Sequence, residues 1–194
     1  MSPEVERSSS QRESPSPSPL GRLGAAYGLH YAFGGQLGMI GEPRSPAQFR
    51  EINLVGGVII LLAAFVPPIA ASAWRHRRVR NVVMVAGWLA LVGCCTHAVT
   101  DVILRVFSLT GVHPTQLSPQ FWLSVDRHKA DLQDVLLNEP WFFVEGCLWG
   151  VFALSAVPEP ARRRWLRSAV IACAVASIFG VLSGLGAIPK FHIG

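Results

Sequence analysis

Apolar residues in this chain come in long runs separated by short polar stretches. The runs fall at about residues 20–40, 52–74, 81–109, 140–157 and 167–188. Each is close to or longer than the roughly 20 residues that a helix needs to cross about 30 Å of hydrocarbon. The pattern predicts an all-α integral membrane bundle of about five transmembrane helices. The second run is the most hydrophobic, and Pro67-Pro68 near its end predicts a kink or an early stop, because proline removes backbone hydrogen bonds. The first is Gly-rich and only moderately apolar. Gly24 with Gly28 and Gly34 with Gly38 form small-xxx-small pairs suited to close helix contact inside a bundle.

Residues 1–19 differ from the rest. They are rich in Ser, Pro, Glu and Arg, cannot bury a core, and predict a disordered tail ahead of a membrane domain over 20–194. No apolar stretch follows a basic start within them, so they do not read as a signal peptide.

Charge gives the orientation. Eleven of the 17 basic residues lie in three groups beside apolar runs: Arg7, Arg12 and Arg22; Arg75, Arg77, Arg78 and Arg80; and Arg162, Arg163, Arg164 and Arg167. An N-terminus in the cytoplasm puts all three groups inside and leaves only five basic residues outside, as the positive-inside rule requires. The C-terminus is then outside. Trp74 and Trp165 mark the inner interface and Trp141 the outer one. Charged residues make up 15% of the chain, against about a quarter in soluble domains. With the basic residues grouped this way, the net charge of +5 reads as membrane orientation and not as nucleic-acid binding. The expected location is a prokaryotic cell membrane, multi-pass, with homo-oligomerisation possible. The excess of Arg over Lys, with abundant Ala, Gly and Val, suggests a GC-rich genome such as an actinobacterium's. Cys94, Cys95, Cys147 and Cys173 lie inside apolar runs without redox or zinc spacing, so neither a disulfide nor a cysteine metal site is expected.

Ionisable residues within spans are costly and therefore mark candidate chemistry. In the third run His97, Asp101 and Arg105 share one helix face at i, i+4 and i+8. Two accounts of this face stand side by side. In one, Arg105 pairs with Asp101 and reaches outward while His97 bonds a neighbour; in the other, the three form a polar column from the outer surface to mid-membrane. In the fourth run Glu145 lies between Trp141 and Trp149, a carboxyl group flanked by indoles. It is either a proton donor or a counter-charge among membrane anchors. His30, near Tyr27 and Tyr31, is a structural histidine or a helper at the site. A bis-histidine haem on His30 and His97 is conceivable, but there is no haem motif, and no cofactor and no metal are expected. The run Asp126, Arg127, His128, Lys129, Asp131 and Asp134 reads as a solvated amphipathic helix rather than a metal site. Phosphate-binding, dinucleotide, nucleophile-elbow and zinc-protease motifs are all lacking.

The run Asn138-Glu139-Pro140-Trp141-Phe142-Phe143, together with an early His beside an aromatic and the Gly34-Gly35 pair, resembles a family of small actinobacterial multi-pass membrane proteins whose domain has no assigned function. The likeness covers about residues 21–157 and implies a membrane fold without a mechanism. Glu145 stands where a small or apolar residue is expected. Two functional classes follow from the residues. One is a membrane-embedded acid–base enzyme of cyclase, isomerase or hydrolase type, acting on a lipophilic molecule such as a terpenoid or polyketide-like compound. It would use Glu145, Asp101, His97 and His30, with Trp141, Trp149 and Arg105 holding substrate. The other is a non-enzymatic small transporter or accessory subunit. The polar groups gather toward the outer half instead of lining a path, which favours the enzyme.

Overall fold

The computed structural model describes residues 19–114 and 120–188. Nearly all of the expected tail therefore lies outside the described residues. The architecture is helical: α1 (Pro19–Ala32), α2 (Pro46–Ser72), α3 (Arg77–Leu109), α4 (Arg127–Gln133), a π-helical turn (Asp134–Asn138), α5 (Glu139–Ala156) and α6 (Glu159–Gly184). Two short strands not foreseen in an all-α reading, β1 (Gly41–Pro43) and β2 (Trp122–Val125), pair antiparallel with Gly41 opposite Val125.

Three helices, α2, α3 and α6, are long and apolar enough to cross a membrane. Their apolar side chains largely point away from protein: Ile59, Leu62, Ile69, Val82, Val170 and Ile178 are all exposed. A water-soluble fold would bury such residues. α5 is shorter, at 18 residues, and carries two glutamates.

The first expected span is shorter than its apolar run. α1 has only 14 residues, about 21 Å at 1.5 Å per residue, because the chain turns at Gly34 (φ +86°) and Gly38 (φ +80°). Pro67 and Pro68 do not end α2, which continues to Ser72. At its start, Ser45 caps α2 by accepting the Gln48 N–H at 3.2 Å, and Pro46 sits where no helical N–H is needed.

Small residues set the packing. A β-carbon at Gly28 would stand 3.2 Å from the Gly57 Cα, and Ala25 is buried beside it, so α1 lies close along α2. α5 runs antiparallel to α3: Gly87 faces Ala153, Gly150 faces Leu91, and Gly146 faces Cys94 and Cys95. α6 runs parallel to α3, with Gly180 against Thr100, Gly184 against Leu104, and the Trp88 indole donating to Ser168 at 3.1 Å. Ala70, Val83 and Ala153 form a buried cluster with Trp74, Phe152 and Trp165 at the end of the bundle that carries the Arg groups at Arg75 to Arg80 and Arg162 to Arg167. At the other end, α4 and the π-turn extend α5 beside the C-terminal part of α3.

Candidate functional site

α3 presents His97, Asp101, Arg105 and Ser108 toward the chain segment that enters α5. That segment is helical from Arg127 onward, with Asp126 capping it by accepting the Lys129 N–H at 3.0 Å. The π-turn decides what it shows to α3. In an α-helix, residues five apart point about 140° away from each other. Here the Glu139 N–H bonds the Asp134 carbonyl, a five-residue step that returns Asp134 and Glu139 to nearly the same face. Asp131, one turn earlier, joins them.

Two sets of groups result, and they differ in how well they are satisfied. The first is an ion-pair network around Arg105. Its Nε lies 2.9 Å from Asp134 Oδ2, and its Nη1 lies 3.3 Å from Asp131 Oδ1. The Ser108 hydroxyl donates to Asp131 at 2.6 Å, and the Asn138 amide donates to Asp134 at 2.7 Å. Asp126 to Lys129 are exposed, as a solvated amphipathic helix has them, but Asp131 is only 2% exposed, and it and Asp134 turn inward to hold Arg105. The expected partner Asp101 is the loosest of the three, at 3.9 Å. That distance is too long for a hydrogen bond.

The second set is His97, Asp101 and Glu139. One ligand atom from each lies within 4.8 Å of the others. Glu139 is 3% exposed, its Oε2 has no hydrogen-bond partner, and its Oε1 stands 3.8 Å from His97 Nε2, again beyond hydrogen-bond reach. His97 is half exposed and meets the Phe142 ring edge-on at 4.8 Å between centroids. A buried carboxyl oxygen without a hydrogen bond is rare and costly, and such groups call for an explanation.

The other residues singled out in the sequence lie elsewhere. Glu145 is six residues beyond Glu139, about 9 Å along the helix. Its carboxyl accepts the Trp149 indole N–H at 3.3 Å and faces a small cavity lined by Ala63, Ala64 and Pro67 of α2. Glu145, expected to share one site with Asp101, His97 and His30, thus stands apart from the group that His97 and Asp101 form with Glu139. Trp149 packs edge-on against Phe152, and Trp141 fills the space over Gly24, joining α5 to α1. His30 accepts the Leu37 N–H on Nε2 at 3.2 Å, which closes the turn after α1 and occupies the nitrogen a haem iron would take.

Sequence reasoning passed over Glu139. An acid at the start of a helix, just before Pro140, reads as an ordinary complement to the helix dipole. Its burial follows from the π-turn, which has no sequence signature. No protein-family model matches the chain, and no curated protein or solved structure shows significant similarity to it.

Proposed function

We propose that this chain is a multi-pass enzyme of a prokaryotic cytoplasmic membrane, with its reacting centre at His97, Asp101 and Glu139. The chemistry is of acid–base type, a cyclisation, isomerisation or hydrolysis, on a lipophilic molecule such as a terpenoid or polyketide-like compound. One observation carries this reading: buried Glu139 holds a carboxyl oxygen without a hydrogen bond beside a histidine that is half exposed. A fold that keeps such a group unsatisfied stores free energy at that spot, as functional sites do.

Depth supports the same reading. α3 is 33 residues long, about 50 Å, and exceeds the hydrocarbon thickness by some 20 Å. With Arg77 to Arg80 at the inner boundary, the outer boundary falls about 20 residues on, near Thr100. His97 and Asp101 then stand at the outer boundary, and Arg105 with α4 lies beyond it. This replaces the mid-membrane depth read from the sequence for His97. α1, α2, α3, α5 and α6 cross, with α5 just matching the hydrocarbon at about 27 Å and α1, at about 21 Å, the shortest crossing. The N-terminus lies inside and the C-terminus outside, and copies of the chain are free to associate. The likeness of Asn138 to Phe143 to small actinobacterial membrane proteins belongs to this proposal on those residues alone.

A transport path would need polar groups at both depths. Among the described residues, α3 from Asn81 to Gly93 and α5 from Cys147 to Ala156 carry no charged side chain. The test is untargeted profiling of lipophilic metabolites in cells that express the wild type, His97→Asn or Asp101→Asn at matched membrane abundance. A compound pair that shifts with the wild type and not with the variants supports the enzyme. Profiles that do not distinguish wild type from variants would favour the accessory-subunit reading.

A further inference from the structure

We propose that His97, Asp101 and Glu139 bind one divalent transition-metal cation, such as zinc or manganese. The inference rests on the site proposed above and adds what occupies it. Four observations lead to it. First, the donor set is an imidazole nitrogen with two carboxylates, the mixture suited to first-row divalent ions. Second, its ligand atoms lie within 4.8 Å of one another. Ligands about 2.0–2.2 Å from a common ion stand roughly 3–4.4 Å apart, so small side-chain rotations close the shell.

Third, these three side chains lack hydrogen bonds to one another, and Glu139 Oε2, on a residue 97% buried, has none at all. The neighbouring aspartates are the opposite case, each bonded to Arg105 and to a second donor. The fold has thus satisfied the carboxylates around Arg105 and left this group unpaired. Fourth, charge does not balance without a cation. Asp101, Asp131 and Asp134 share one guanidinium, whose short contacts go to Asp131 and Asp134, and Glu139 adds a fourth carboxyl group without an ion pair to it. One divalent ion cancels most of the excess, where unpaired buried charge is otherwise expensive. Three protein ligands leave coordination positions open on the exposed His97 side, as catalytic sites do. There the ion would polarise water or a substrate oxygen.

The experiment is equilibrium dialysis of the purified full-length protein in detergent against zinc and, separately, manganese, with metal measured by mass spectrometry. The wild type should bind one equivalent of at least one of them. Glu139→Gln and His97→Ala should each weaken that binding by about a hundredfold or more, since loss of mere outer-shell partners already costs 10–100-fold. Glu145→Gln should bind as the wild type does. Asp101→Asn, at a less buried position, keeps the test decisive if Glu139→Gln fails to fold. Absence of stoichiometric binding, or zinc held equally by all these variants, would overturn the proposal. Metal-free wild type whose metabolite shift still depends on His97 would end the metal inference and leave the enzyme standing. Stoichiometric metal with profiles indifferent to all three residues would do the reverse.

Discussion

Replacing Arg105 by Gln is the sharpest test of how α4 and the π-turn are held against α3. The guanidinium makes its short contacts to Asp134 and Asp131, at 2.9 and 3.3 Å, and Asp131 is almost fully buried. Removing one partner of a buried pair costs about 3–5 kcal/mol, because the remaining carboxylate is left uncompensated. Loss of the 3.9 Å contact to partly exposed Asp101 adds only about 0.3–0.5 kcal/mol, as for other i,i+4 pairs. For a chain of this size 1 kcal/mol shifts the midpoint by about 2–4 °C, so Arg105→Gln should lower Tm by roughly 6–20 °C. The assay is thermal unfolding of purified protein in detergent, run as a double-mutant cycle. Adding Asp131→Asn should recover about 1.5–3 kcal/mol, since the amide no longer needs a counter-charge and can still bond Ser108. Adding Asp101→Asn should recover less than about 0.5 kcal/mol. Equal rescue by both, or a loss below about 1 kcal/mol in Arg105→Gln alone, would refute the network as described.

Other outcomes follow from the same structure. Gly87→Ala puts a methyl group into Ala153 and should cost about 1–3 kcal/mol, read as a lower Tm and as weakened α3–α5 association; an unchanged Tm would mean the helices do not pack as described. Deleting Leu136 should convert the π-turn to α-helix and leave Asp134 and Glu139 four residues apart, about 40° from each other and still facing α3; the deletion variant should stay helical by circular dichroism and keep whatever Glu139→Gln loses, and its loss would show that this phase does not set where Glu139 points. A membrane-impermeant thiol reagent should label Ser124→Cys in intact cells and Arg163→Cys only after permeabilisation, in a background with the native cysteines changed to serine. The reverse pattern would invert the topology.

The apolar runs announced most of the helices, because length and hydropathy are local properties. The exact reach of α1 was not legible: its run continues apolar past Ala32, and only the positive φ of Gly34 and Gly38 ends the helix. The α3 face bearing His97, Asp101 and Arg105 was legible from i, i+4 spacing alone. What it meets was not. Glu145 drew attention because two tryptophans flank it in sequence, yet one of those indoles simply donates to it. Glu139 faces α3 because one π-turn re-phases the helix, and Asp131 and Asp134 turn inward for the same reason together with Arg105. Pairings between helices 23 or more residues apart in sequence leave no periodic trace in either segment.

The claim at the centre of this account is that the reacting carboxyl group is Glu139 and not Glu145. Its most direct test compares Glu139→Gln with Glu145→Gln, each keeping shape while removing an ionisable proton. Both would be expressed at wild-type membrane abundance and read by the lipophilic metabolite profile of the cells. The account predicts that Glu139→Gln abolishes the wild-type shift and that Glu145→Gln leaves it in place. A profile lost in Glu145→Gln and intact in Glu139→Gln would contradict it and move the chemistry to the cavity between α2 and α5.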